Sequence, residues 1–153
     1  LAFVLMFALI FLTSFIVGEF TFDTWGCLLA LVCMVPHEFL HAVCFKEDVY
    51  MYNNLKQGTM FVVGPENMTK FRFCFMSLFP CLILGVIPYI VFLINPSLVT
   101  LGTMGAISMA SCAGDFYNVF NAITQMPKGA KTYLCGMNSY WFMPKEKEGE
   151  ETK

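Results

Sequence analysis

The sequence predicts an all-α membrane protein of about four transmembrane helices, with a short cytoplasmic β-hairpin between the second and third. Three observations predict it. The chain of 153 residues is 58% hydrophobic but only 13% charged, about half the charge of an average soluble domain. Four apolar runs are near the length needed to cross a bilayer, about 20 residues. All nine Lys and Arg fall where a four-span chain would put them on one side.

The first run covers residues 1–17. It starts without Met or a basic flank, which leaves a fragment or a processed product open. A signal peptide would need a small-residue cleavage site, and Gly18-Glu19-Phe20 does not offer one, so a span is the expectation. The other spans are expected at about 24–45, 73–94 and 98–124. Together they form one multi-pass domain over 1–144, followed by a charged tail, 145–153.

Lys46, Lys56, Lys70 and Arg72 lie between spans two and three, and Lys128, Lys131, Lys145, Lys147 and Lys153 follow span four. The connections Gly18–Asp23 and Asn95–Ser97 contain no basic residue. The positive-inside rule therefore puts the loop 46–72 and the C-terminus in the cytoplasm. Within that loop, Val49–Tyr52 and Thr59–Val63 are β-branched and aromatic around the turn residues 53–58, which reads as a hairpin.

A net charge of −2 and the lack of a basic, aromatic-studded tract exclude nucleic-acid binding. Seven cysteines, odd in number and without a CxxC pair, read as reduced thiols rather than a disulfide framework. The sequon Asn67-Met68-Thr69 falls on the cytoplasmic side and is read as coincidental.

Span two contains Pro36-His37-Glu38-Phe39-Leu40-His41, an HExxH pattern. Histidines four apart share one helix face, so both imidazoles can bind one Zn²⁺ while the glutamate serves as general base. Zinc brings the pKa of coordinated water down to about 7. His37 and His41 are the only histidines. An unpartnered Glu38 within a span would cost roughly 2.5–3.5 kcal/mol, so plain helix packing explains it poorly.

Such sites usually use three protein ligands and a water. Asp115 is the other acid well inside a span, and the topology places it at a depth similar to His37. Cys33, Cys44 and Cys112 stay open as alternatives, though small apolar packing explains them. Ser108, Ser111, Cys112, Asn118 and Ala122 follow helical spacing around Asp115. Of these, Asn118, Ser111 and Cys112 are candidates for supporting the ligands or touching substrate, with helix–helix contact the bland alternative. Pro36 should bend span two just before the motif, and Pro80 and Pro88 can open span three.

The pairing of His37-Glu38-x-x-His41 in one span with Gly114-Asp115 in a later one resembles intramembrane zinc metalloproteases of the site-2 protease class. It is most similar to a family of small multi-pass bacterial membrane proteins described as predicted zincin peptidases. The resemblance implies His37, His41 and Asp115 as zinc ligands, Glu38 as general base, and a location in a bacterial plasma membrane. It also implies β-structure that holds an unwound substrate as an added strand, as the hairpin at 49–63 could. Unlike site-2 proteases, this chain has Gly before the Asp, Phe116 after it, and no prolines in span four.

The expected function is therefore a membrane-embedded zinc endopeptidase, cleaving transmembrane or membrane-proximal peptide segments with Glu38 as base. Its partners would be the lipid bilayer and a membrane-protein or peptide substrate. Four helices are few to enclose a site, which leaves a homo-oligomer open. The alternative is a catalytically inactive protein of the same fold, a pseudoprotease or a metal-binding chaperone or transporter. An intact Glu38 weighs against a pseudoprotease, and the lack of a polar relay across the spans against a transporter.

Overall fold

In a computed structural model, which describes residues 2–54, 59–136 and 138–145, helices occupy all four apolar segments. Helix α1 is Ala2–Val17. The second segment comprises α2, Thr24–Val32, and α3, Met34–Ala42. The third is α4, Lys70–Pro80, a π-helical segment, Cys81–Val86, and α5, Ile87–Ile94. The fourth is α6, Val99–Ser111, and α7, Ala113–Gln125. The stretches Thr24–Ala42 and Lys70–Ile94 are long and apolar enough to cross a membrane.

Proline chemistry explains two of the interruptions. Pro36 has no N–H to return to the carbonyl of Val32, and the helix breaks at Cys33 before resuming with the proline in its first turn. Pro80 and Pro88 bracket the π segment in the same way. The break at Cys112 lacks a proline. There the backbone turns at ψ 14°, and the Cys112 thiol donates to the Ser108 carbonyl at 3.1 Å.

Helix α6 is the centre of the bundle and packs against α1, α2, α5 and the π segment. Small residues make this possible. A Cβ at Gly26 would lie 2.7 Å from the Thr100 carbonyl oxygen, and one at Gly105 would lie 2.7 Å from that of Gly85. Phe92 fills the space over Gly102 and is fully buried. The Tyr89 hydroxyl donates to the Leu9 carbonyl at 2.9 Å, tying α5 to α1. Asp23 caps α2, accepting from the Gly26 N–H at 2.7 Å.

Two small sheets are present, where the expectation was a helical protein with one hairpin. Strands β1, Tyr50–Asn54, and β2, Thr59–Val63, pair antiparallel with Tyr50 opposite Val63. The intervening turn residues 55–58 lie outside the described residues, as do 146–153 of the expected tail. The second sheet was not expected. Strand β4, Lys131–Cys135, lies between β3, Met68–Thr69, and β5, Asn138–Phe142. Its turn uses Gly136 at φ 59°. Tyr133, Tyr140 and Phe142 cluster on one face of this hairpin, while Thr132 and Leu134 alternate to the other. Thr132 is buried.

One ion-paired corner fixes the loop carrying the first sheet. Glu66 accepts from the Lys46 backbone N–H at 2.8 Å and pairs with Arg72, whose guanidinium also donates to the Cys44 carbonyl at 3.0 Å. The end of α3 and the start of α4 are thereby joined. Arg72, and then Lys46, hold the Glu66 carboxyl below its ordinary range.

Candidate metal centre

Helices α3 and α7 bring the HExxH residues to Asp115. His37 and His41 sit one turn apart on α3 with their rings edge to face, centroids 4.8 Å apart. Their Nε2 atoms are 3.2 Å apart. One Asp115 carboxylate oxygen lies 3.3 Å from His37 Nε2, and the other lies 3.3 Å from His41 Nε2. Asp115 occupies the first turn of α7, where the helix dipole favours a carboxylate.

The His41 ring is oriented from behind. Its Nδ1 is 2.9 Å from the Met76 carbonyl oxygen. A carbonyl only accepts, so Nδ1 carries a proton, which leaves Nε2 as the nitrogen that can ligate a metal when the ring is neutral. Pro80 makes this contact available. It has no N–H to return to Met76, and the next N–H, that of Cys81, goes to Leu78.

This donor set fits a zinc ion. Tetrahedral zinc with bonds of about 2.0–2.1 Å has edges of roughly 3.3 Å; the two Nε2 atoms are 3.2 Å apart, and each has its own Asp115 oxygen at 3.3 Å. Two nitrogens and a carboxylate suit zinc chemically. Glu38 has an oxygen within the same 4.8 Å grouping as the two imidazoles.

The cluster opens on a cavity of about 410 Å³. Helices α2, α3, α4, α6 and α7 form its walls, and Met60–Val62 of β2 with Leu134 and Gly136 of the second hairpin also line it. Of the residues singled out by spacing, Ser108, Ser111 and Asn118 line this cavity. The thiol of Cys112 lies within 4.8 Å of donor atoms of His37 and Asp115. Cys33 lines the cavity, but Cys44 does not. Helix α3 ends at Ala42, so the helical face does not extend to Cys44, which packs instead against the cluster of Met68 and Phe73. Ala122 also belongs to that cluster. All seven cysteines are free thiols.

The sequence reading missed the Met76 carbonyl and the contribution of β4 and β5. Pro80 was the available signal for the first, because a helical proline frees the carbonyl four residues earlier.

A buried and a half-buried histidine, a facing carboxylate and an adjacent glutamate define a candidate hydrolytic metal centre on a helical scaffold. The model of a family described as "Putative zincin peptidase" matches residues 30–131, about two thirds of the chain. The chain belongs to this family. No curated protein and no solved structure matches it.

Proposed function

We propose that the chain is a membrane-embedded zinc endopeptidase, similar in design to site-2 proteases, that hydrolyses peptide bonds in transmembrane or membrane-proximal segments. The observation that carries this reading is the meeting of His37, His41 and Asp115 at 3.2–3.3 Å, with Glu38 beside them, on a cavity large enough for a peptide.

His37, His41 and Asp115 would hold the ion. Bound zinc supplies Lewis acidity, which activates water and polarises a carbonyl. Glu38 takes the proton from the attacking water and returns it to the departing amine. The hydrogen bond to Met76 keeps His41 in the ligating tautomer. Among the described residues β2 pairs with β1 alone, and its other edge would align an extended peptide beside Glu38.

Exposed apolar surface supports the membrane setting. Phe3, Phe7, Phe11 and Phe15 form an i, i+4 ridge on α1 with exposures of 63–76%. Only 17% of the apolar window in Thr24–Ala42 and 33% of that in Lys70–Ile94 is buried, unlike core helices of a soluble domain. The placement of the basic segments on one side is supported too. Met68 pairs with Thr132, so the basic loop 46–72 and the segment after α7 meet at one end of the bundle, as cytoplasmic segments should. We read four crossings, with α6 and α7 together making the last.

The test is Glu38→Gln in protein reconstituted with a transmembrane reporter peptide. Cleavage should fall by several orders of magnitude while zinc stays bound. Turnover at the wild-type rate would overturn the mechanism.

A further inference from the structure

We infer that Asn118 donates the hydrogen bond that stabilises the developing oxyanion, and that Ser139 of β5 positions its amide; this rests on the peptidase reading above. Peptide hydrolysis needs such a donor. As the water oxygen bonds to the carbonyl carbon, the π pair moves onto the carbonyl oxygen, which becomes anionic. The C–N bond then breaks, its electron pair going to nitrogen, which takes the proton held by Glu38. The assisting donor lends a hydrogen bond throughout and transfers no proton.

The cavity wall offers few groups for this role. Beyond His37, Glu38, His41 and Asp115, its polar side chains are Cys33, Ser77, Ser108, Ser111 and Asn118. The Ser111 hydroxyl is spent on the Ile107 carbonyl at 2.9 Å. The Ser108 hydroxyl has no hydrogen-bond partner among the described residues, but its oxygen is buried away from the cavity. Ser77 is 1% exposed, set back in the wall. A thiol such as Cys33 is a weak donor. Asn118 is half-buried and sits one helical turn beyond Asp115, on the same face of α7.

The second hairpin settles which end of this amide is free. The Ser139 hydroxyl donates to Asn118 Oδ1 at 3.4 Å. With the oxygen engaged, the NH₂ group is the end left to donate. Ser139 lies opposite Leu134, which lines the cavity from the neighbouring strand. The C-terminal sheet is thus a working part of the site.

The test uses the full chain, zinc-loaded in lipid nanodiscs, and two apolar dipeptide-like ligands. A phosphinic pseudopeptide mimics the tetrahedral oxyanion; a mercaptoacyl dipeptide needs only the metal. Asn118→Asp and Asn118→Ala should weaken the phosphinic ligand by about 10- to 100-fold and leave thiol affinity within about twofold. Ser139→Ala should weaken the phosphinic ligand less, about 3- to 10-fold, Ser139→Thr should restore it, and the Asn118→Ala, Ser139→Ala double variant should be no worse than Asn118→Ala alone. Wild-type phosphinic affinity in both Asn118 variants would overturn the assignment while leaving the peptidase reading intact, and equal loss of both ligands would reduce Asn118 to a structural role. Zinc-loaded wild type that binds neither ligand would overturn both.

Discussion

The Nδ1 of His41 lies 2.9 Å from the carbonyl oxygen of Met76, on a different helix and 35 residues away in sequence. Through this contact a proline in α4 orients the His41 ring in α3. The ring is therefore oriented by the fold, and the orienting group is main chain. A Met76 side-chain substitution would leave it in place.

Pro80→Ala tests this link. It supplies an N–H at position 80 that competes for the Met76 carbonyl. Removing the outer partner of a metal-binding histidine commonly costs 10- to 100-fold in affinity. Zinc affinity, measured by competition with a chromophoric chelator, should fall by about 10-fold or more while helical content holds. Unchanged affinity would show that Met76 does not orient the ring.

The motif residues were legible because they conflict with their setting. His37, Glu38, His41 and Asp115 are polar groups in apolar runs, and spacing plus topology brought them together on paper as they meet in space. The helices were legible from run length. The second sheet was not. Its outward face carries Tyr133, Tyr140 and Phe142, and its inward face Thr132 and Leu134, so neither strand shows the polar–apolar alternation that marks a half-solvated strand. The break at Cys112 was hidden too, since a side-chain-to-backbone contact accompanies it without a proline. Asn118 stood out by spacing, but its partner Ser139 lies on the strand that was missed.

The close helix contacts around α6 predict a second outcome. A methyl group at Gly105 would meet the Gly85 carbonyl oxygen and the Tyr89 backbone at 2.7–2.9 Å, neither of which can swing aside. Gly105→Ala should destabilise the protein by about 1–3 kcal/mol. Denaturant unfolding in detergent reads this directly, and wild-type stability would contradict the packing at this crossing.

The Glu66 corner predicts a pH dependence. Its carboxyl is held below its ordinary range, first by Arg72 and then by the Lys46 N–H. A group with a depressed folded pKa contributes stability above its unfolded value and loses it as pH falls through the folded one. Glu66→Gln should thus lower the thermal midpoint at pH 7 by about 2–4 °C or less. The gap to wild type should close below the ordinary glutamate range. A gap that persists in acid would mean that the charge is not what holds the corner.

Metal content of purified protein tests the central claim most directly, comparing wild type with His37→Ala, His41→Ala, Asp115→Ala and Cys112→Ser. The account predicts about one zinc per chain in wild type and in Cys112→Ser, with loss in the other three. Zinc retained without Asp115 and lost without Cys112 would move the third ligand to the thiol. No zinc in wild type, even after the ion is added back, would contradict the metal centre altogether.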